Sequence, residues 1–218
     1  MENRIENYAY LNAPLSRYLD LLAAKLPCPG GGSVAALAAC LASGLTAMAI
    51  SFTLGKKAYR QHEERLQAIR EANDRLRREL ASFVEEDSRI FADMQQTAHT
   101  DRARHQEAVR RSLSLHLSVA SAAREILLWD EELLTRGNPH LVSDVGISAV
   151  LARAAFFSAR FNMEINFASC DDAAHVLHLR GQIAALEEEI AAKAQLVFSS
   201  ALAMLQGGSH AGTGNSGK

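Results

Sequence analysis

A run of small residues from Pro27 to Tyr59, PCPGGGSVAALAACLASGLTAMAISFTLGKKAY, constrains the fold more than any other part of the sequence. At helical spacing, one row of this stretch is small throughout: Ala35, Ala39, Ser43, Ala47, Ser51. Neighbouring backbones can therefore approach it closely. A helix that is apolar on every side is typical of the centre of a soluble domain. We predict a long, small-residue central helix from Ser33 to about Thr53.

The glycine run that precedes this helix is a candidate binding turn. Gly30, Gly31 and Gly32 allow the backbone to approach a ligand closely, and Ser33 stands where a helix N-cap is expected. The N-terminus of a helix suits an anion or a carbonyl group. The turn lacks the GxxxxGK(S/T) pattern and a preceding strand, so it is not a nucleotide phosphate loop. A simple loop-to-helix turn without a ligand is the alternative.

Apolar residues recur at helical spacing along the rest of the chain, and no strand-like alternation occurs. The Gly137-Asn138-Pro139 segment ends one of these patterns. We predict an all-α fold, a single bundle domain of about six main helices spanning residues 1–206. The tail 207–218 has no apolar content to anchor it, so we expect it to be disordered. The further predicted helices are 14–26, 60–97, 101–136, 144–167 and 172–205.

Two polar residues interrupt the apolar seam of the third predicted helix. Asn73 is interpreted as a buried amide that sets the register of the bundle. Asp87 is a carboxylate where an apolar residue is expected, and burying it unpaired costs several kcal/mol. It therefore either faces a cleft or, if the seam is shifted by one position, faces water.

The start and end of the fifth predicted helix carry further candidates. Asp144 follows the predicted N-cap Ser143, where an acidic residue complements the helix dipole. If the preceding loop lines a cleft, Asp144 is instead a positioned carboxylate with Asn138 as a hydrogen-bonding neighbour. Asn162 and Asn166 lie four residues apart on one face, which suggests the floor of a cleft.

Charge and cysteine usage exclude several classes of protein. The net charge of −2 gives no basic field for nucleic acid, and three cysteines without a CxxC pair indicate reduced thiols in a cytoplasmic protein. No signal peptide is recognised, and the central helix is rich in Ala, Ser and Thr rather than Leu, Ile and Phe, so no membrane span is predicted. His175 and His178 lack a third ligand, and we predict no metal site.

Three segments in this order resemble the cyclodeaminase/cyclohydrolase family: PCPGGGSVAA with the helix after it, EEDSRIFADM, and GNPHLVSDVGISAVLARAAFFSARFNMEIN. The resemblance covers nearly the whole chain apart from the tail. The chain departs from the family in the fourth helix, where a proline is common and this sequence reads SLHLSVAS.

The resemblance implies a helical domain that dimerises, with a folate groove at or near the subunit interface. The implied reaction is hydrolysis of 5,10-methenyltetrahydrofolate to 10-formyltetrahydrofolate, with no cofactor beyond the substrate, whether or not that is polyglutamylated. Formiminotetrahydrofolate cyclodeaminase is the alternative, and a non-catalytic helical interaction protein is the second alternative. By resemblance Asp144 is the preferred proton carrier and Asp87 the other candidate. The implied substrate-binding residues are Gly30, Gly31, Gly32, Ser33, Lys56, Lys57, Asn138, Ser143, Asn162 and Asn166.

Overall fold

The computed structural model describes residues 9–211, and this part of the chain is helical without strands. The predicted all-α class is therefore confirmed. Three 3-10 turns, Tyr10–Asn12, Lys57–His62 and Pro139–Leu141, accompany the main helices. These helices are α1 (Leu15–Ala23), α2 (Gly31–Ser51), α3 (Glu63–Thr97), α4 (Arg102–Arg136), α5 (Val142–Phe167) and α6 (Ala173–Ala211).

Helix α2 lies at the centre of the bundle and packs against α3, α4 and α5, while α6 covers α4 and α5. Its residues Ala35, Ala36, Ala39 and Ala42 are fully buried. Without large side chains between them, the neighbouring helices approach the α2 backbone closely. The predicted central small-residue helix is confirmed, and its bounds are shifted by two residues at each end.

Two helical stretches, Gly31–Ser51 and Pro139–Phe167, are long and apolar enough to cross a bilayer by length and composition alone. About half of each stretch is buried inside the bundle. Packing within the core therefore accounts for their apolar sequences, as it does for central helices in soluble domains.

Both predicted serine N-caps are wrong. Helix α2 begins earlier, with Gly30 as its N-cap, and Ser33 already lies in the first turn. Helix α5 runs on from the 3-10 turn Pro139–Leu141, so Leu141 occupies the cap position instead of Ser143. Helix α1 ends at Ala23, earlier than predicted.

Helix α6 extends to Ala211, beyond the predicted end at Leu205. The predicted disordered tail therefore begins inside this helix. Residues 212–218 lie outside the described part of the chain, as do residues 1–8 of the predicted domain.

The interpretation of Asn73 as a buried register-setting amide is supported by its contacts. Asn73 is fully buried, accepts a hydrogen bond from Ser43 Oγ at 2.7 Å and donates Nδ2–H to the Ser43 carbonyl at 2.9 Å. These two hydrogen bonds fix the position of α3 along the axis of α2. Sliding either helix by one turn would leave both polar groups buried and unpaired.

A second polar group, Asp130 of α4, is buried in the core without a basic partner. Its Oδ1 accepts a hydrogen bond from Thr46 Oγ1 of α2 at 2.7 Å, while Oδ2 has no partner in the described chain. The Thr46 and Ser148 hydroxyls lie 3.0 Å apart, so α2, α4 and α5 meet at this cluster. Burial raises the pKa of Asp130 to about 7.

Asp130 is expected to make stability depend on pH. The folded carboxyl holds its proton more tightly than the unfolded one, whose pKa is about 3.9. The stabilisation is therefore complete below about pH 4 and is lost as pH rises through about 7. Relative to Asp130→Asn, the wild type should lose about 2–3 kcal/mol of unfolding free energy between pH 5 and pH 8. Urea unfolding of both proteins at the two pH values measures the difference, and parallel curves would contradict the prediction.

Candidate active site

Where α2 begins, the Gly-rich turn packs against α3, and the side chain of Asp87 forms the contact. The Ser33 N–H, in the first turn of α2, donates to Asp87 Oδ2 at 2.9 Å, and Ser33 Oγ donates to the Val84 carbonyl at 2.7 Å. Tyr18 of α1 contacts the same hydroxyl at 3.0 Å. Asp87 thus lies on the α3 seam and receives a backbone donor from the positive end of α2.

Asp87 lines a cavity of about 340 Å³ between the glycine turn, α3, α4 and α5. This volume is within the ~300–1,000 Å³ range of small-molecule sites. The cavity brings together the predicted Gly30, Gly31, Gly32, Asp87, Asn162 and Asn166. The alternative that Asp87 faces open water is excluded, because its side chain is only 14% exposed.

A residue that the sequence interpretation left out, His116 of α4, also lines this cavity. Its side chain is 1% exposed, and its Nε2 lies 3.5 Å from Asp87 Oδ1. Its Nδ1 lies 2.7 Å from the Ser112 carbonyl oxygen. A carbonyl only accepts, so Nδ1 carries the hydrogen in this contact, and Nε2 is left buried without a hydrogen-bond partner.

The electrostatics of the pair follow from its burial. Burial raises the pKa of Asp87, while His116 and the Ser33 N–H oppose that rise. Burial also lowers the pKa of His116, against the effect of Asp87. Both burial effects favour the uncharged forms, a carboxylic acid beside a neutral imidazole. With its pKa raised, the Asp87 carboxylate is a better proton acceptor than an ordinary aspartate.

The three glycines of the turn differ in how tightly they are enclosed. A Cβ on Gly32 would lie 2.1 Å from Asp87 Oδ1 and 2.5 Å from His116 Nε2. On Gly31 it would lie 3.4 Å from Asn162 Nδ2, and on Gly30 it would meet only the Pro27 carbonyl at 3.9 Å. Space therefore requires glycine at position 32 alone, where the backbone forms the wall beside the acid–base pair.

Two amides of α5 also line the cavity, and Asn162 lies next to Gly31 of the turn. Asn162 donates Nδ2–H to the Ser158 carbonyl at 2.8 Å, and Asn166 donates Nδ2–H to Ser112 Oγ at 2.8 Å. In the described part of the chain neither amide oxygen has a protein partner. Each fixed amide therefore retains an acceptor for a ligand in the cavity.

A profile of the formiminotransferase-cyclodeaminase family matches residues 14–185. The chain belongs to this family. It is 30% identical over 175 residues to the methenyltetrahydrofolate cyclohydrolase of Methylorubrum extorquens, covering 75% of this chain and 83% of that protein. It is 27% identical to the formimidoyltransferase-cyclodeaminase of Rattus norvegicus over 87% of this chain, but spans only 37% of that protein.

A solved structure has the same fold. The formiminotetrahydrofolate cyclodeaminase of Thermotoga maritima superposes with a TM-score of 0.78 at 26% identity, over 90% of this chain and 98% of that one. The proteins named in these comparisons are enzymes of folate one-carbon chemistry. The expected cyclodeaminase/cyclohydrolase resemblance is confirmed.

Several residues that the resemblance implied lie elsewhere in this member of the formiminotransferase-cyclodeaminase family. Asn138 does not line the Asp87 cavity: its N–H donates to Thr53 Oγ1 at 2.9 Å and its Nδ2–H to the Phe52 carbonyl at 3.2 Å, so its binding role stays a prediction. Ser143 lines a separate apolar groove between α5 and α6. Asp144 is half-buried in the first turn of α5 and does not line the Asp87 cavity, so its catalytic role stays a prediction.

Lys56 and Lys57 lie at the opposite end of α2 from the glycine turn. They share a surface pocket with Gly55, Arg60 and Glu63. At 1.5 Å per residue, the 21 residues of α2 separate the two ends by about 30 Å. Within the described residues, no three His, Cys, Asp or Glu side chains are grouped to hold a metal ion.

Proposed function

We propose that this member of the formiminotransferase-cyclodeaminase family hydrolyses 5,10-methenyltetrahydrofolate to 10-formyltetrahydrofolate. The observation that carries the proposal is the Asp87 cavity, in which a carboxyl group of raised pKa lies beside an imidazole and two amides. The similarity to a methenyltetrahydrofolate cyclohydrolase over most of both chains supports this choice of reaction.

Asp87 supplies what this hydrolysis needs. The methenyl carbon joins N5 and N10 of the substrate as a positively charged amidinium, and water adds to that carbon before the C–N5 bond breaks. A carboxylate in a partly dry cavity stabilises the cation and accepts a proton from the water. The same proton then passes to N5 as the ring opens, so one group serves both steps, and the proton of the remaining hydroxyl is lost to solvent as the formyl C=O forms.

The remaining cavity residues suit recognition of the pterin. The amide oxygens of Asn162 and Asn166 are fixed acceptors on the α5 side of the cavity, and they match the donors on the edge of the pterin ring. The single glutamate of folate cannot reach Lys56 and Lys57 in the same chain, about 30 Å away. We therefore assign those lysines to the polyglutamate tail of a longer substrate.

Cyclodeamination of 5-formiminotetrahydrofolate is the alternative function, and the Thermotoga maritima structure favours it. In that reaction N10 attacks the formimino carbon and ammonia leaves, which requires a proton carrier at the same carbon. A non-catalytic interaction protein is a weaker alternative. A scaffold would gain stability from apolar residues at Asp87 and His116, where polar groups are costly to bury.

Two parallel assays distinguish these functions. The first follows loss of methenyltetrahydrofolate absorbance, with mono- and polyglutamylated substrate, and the second follows ammonia release from 5-formiminotetrahydrofolate. Enzyme-dependent methenyl loss without ammonia release is the expected result. Ammonia release alone would establish the cyclodeaminase. Turnover of neither substrate, with no folate binding by calorimetry, would leave the interaction protein.

We further propose that the chain works in the cytoplasm as a homodimer. Its three cysteines are unpaired thiols, as in reducing compartments. The groove between α5 and α6 leaves Ile147, Val150, Phe198 and Leu202 about half exposed, and a second copy would remove them from water. Light scattering measures the mass of the protein in solution, and cell fractionation shows the compartment in which it is found.

A further inference from the structure

We infer that His116 is the proton partner of Asp87, and that the two side chains hold between them the proton that is taken from water and delivered to N5. The inference rests on the proposed folate reaction and adds a residue to it. His116 acts through Asp87, so it is a positioning residue for the proton and not a group that must touch substrate.

The orientation of the imidazole supports this role. The Ser112 carbonyl accepts from Nδ1–H at 2.7 Å, so a neutral ring has its lone pair on Nε2. That atom is buried, has no hydrogen-bond partner and lies 3.5 Å from Asp87 Oδ1. The distance is too long for a formed hydrogen bond, but a small movement of either side chain makes one.

No other group competes for this proton. In the described chain no lysine or arginine lines the cavity. Tyr18 and Cys28 face Asp87 from α1 and the glycine turn, and burial raises the pKa of each, so both stay protonated. The Ser33 N–H occupies Asp87 Oδ2 at 2.9 Å, which leaves Oδ1 for the exchange with Nε2.

The proton balance of the reaction is then complete. Without the exchangeable proton the pair carries one negative charge, which opposes the positive amidinium. As the water oxygen bonds to the methenyl carbon, its O–H bond breaks and the proton passes to Asp87 Oδ1, where Nε2 shares it. The C–N5 bond then breaks, N5 receives this proton, and the pair regains its negative charge. As the formyl C=O forms, the remaining hydroxyl O–H bond breaks and its proton passes to solvent water, which accounts for the positive charge of the amidinium. No oxidant or reductant is needed.

The kinetic test uses the His116→Gln variant and measures its kcat/KM for methenyltetrahydrofolate as a function of pH. We expect a loss of at least about tenfold, since an acid–base group contributes about 10²–10⁴ and Asp87 remains. His116 lowers the pKa of Asp87. Its removal should therefore move the acid limb of the profile to higher pH. An unchanged rate, or a lower rate with an unmoved profile, would overturn the inference.

The matched control is His105→Gln. His105 is also on α4 and its Nδ1 lies 3.1 Å from a backbone carbonyl, that of Met94, but it does not line the cavity. We expect this variant to keep the wild-type rate and pH profile. If it shifts the profile as His116→Gln does, the effect is not specific to the pair and the inference fails.

A substrate-free measurement separates this inference from the proposed reaction. In ¹⁵N-histidine spectra, with the signal assigned by its loss in His116→Gln, the neutral ring should carry its hydrogen on Nδ1. Asp87 favours the charged imidazole, so Asp87→Asn should lower the pH at which His116 titrates. A hydrogen on Nε2, or the same titration in both proteins, would refute the pairing even if the enzyme is active. Absent turnover with the expected titration would instead reject the folate reaction alone.

Discussion

Replacing Asp87 by asparagine is expected to lower kcat for methenyltetrahydrofolate hydrolysis by about 10³-fold, because an amide cannot take and return a proton. The asparagine keeps an oxygen for the Ser33 N–H, which donates to Oδ2 at 2.9 Å. The fold should therefore be retained. Absorbance kinetics measure the loss, and thermal unfolding with circular dichroism checks the fold.

Asp144→Asn is the comparison variant in the same experiment, since Asp144 was the preferred proton carrier by sequence resemblance. Asp144 does not line the cavity that contains Asp87. A large loss in Asp87→Asn only would place the chemistry in this cavity. Full activity of Asp87→Asn with loss in Asp144→Asn would move the chemistry to the start of α5 and refute the proposed site.

Gly32→Ala should have the second large effect. The new Cβ would lie 2.1 Å from Asp87 Oδ1 and 2.5 Å from His116 Nε2, closer than atoms can pack. Both side chains must move, so we expect at least about a 10²-fold loss of kcat/KM, comparable to losing an acid–base group. Overpacking should also cost about 1–3 kcal/mol of stability. Kinetics and urea unfolding on the same preparation measure the two effects.

Gly44→Ala is the matched control on the same helix. A Cβ there meets nothing within 4 Å, and the position is inside α2. It should stabilise the protein by about 0.5–1 kcal/mol, since glycine is unfavourable within a helix. Equal kinetic losses in both variants would show that Gly32 is not specially enclosed.

The sequence was sufficient to predict the bundle because its signals are local. The small residues of α2 and the apolar spacing of α3 are repeated over many turns, so errors at single positions do not change the result. Asp87 could be singled out because it interrupts a regular seam. Its pairing with His116 could not be predicted, since His116 lies on another helix and their contact depends on how α3 and α4 are packed.

His116 still left a signal in the sequence. It follows Leu113 by three residues, on the inward face of α4. A histidine among inward apolar residues is as informative as Asp87 on the seam. The separation of the two ends of α2 was also calculable from sequence, since 1.5 Å per residue excludes Lys56 from the glycine turn.

The position of Gly32 has a consequence for how substrate preference can change. The wall beside the acid–base pair is the first turn of the central helix α2, and reshaping it would disturb the packing of α2 against its neighbours. The α5 wall of the cavity consists of side chains, among which Asn162 and Asn166 are only half-buried and Ile165 is exposed. Among relatives, we therefore expect the residues of α2 and α3 that carry the chemistry to be kept. We expect the preference for a ligand to change through substitutions on α5.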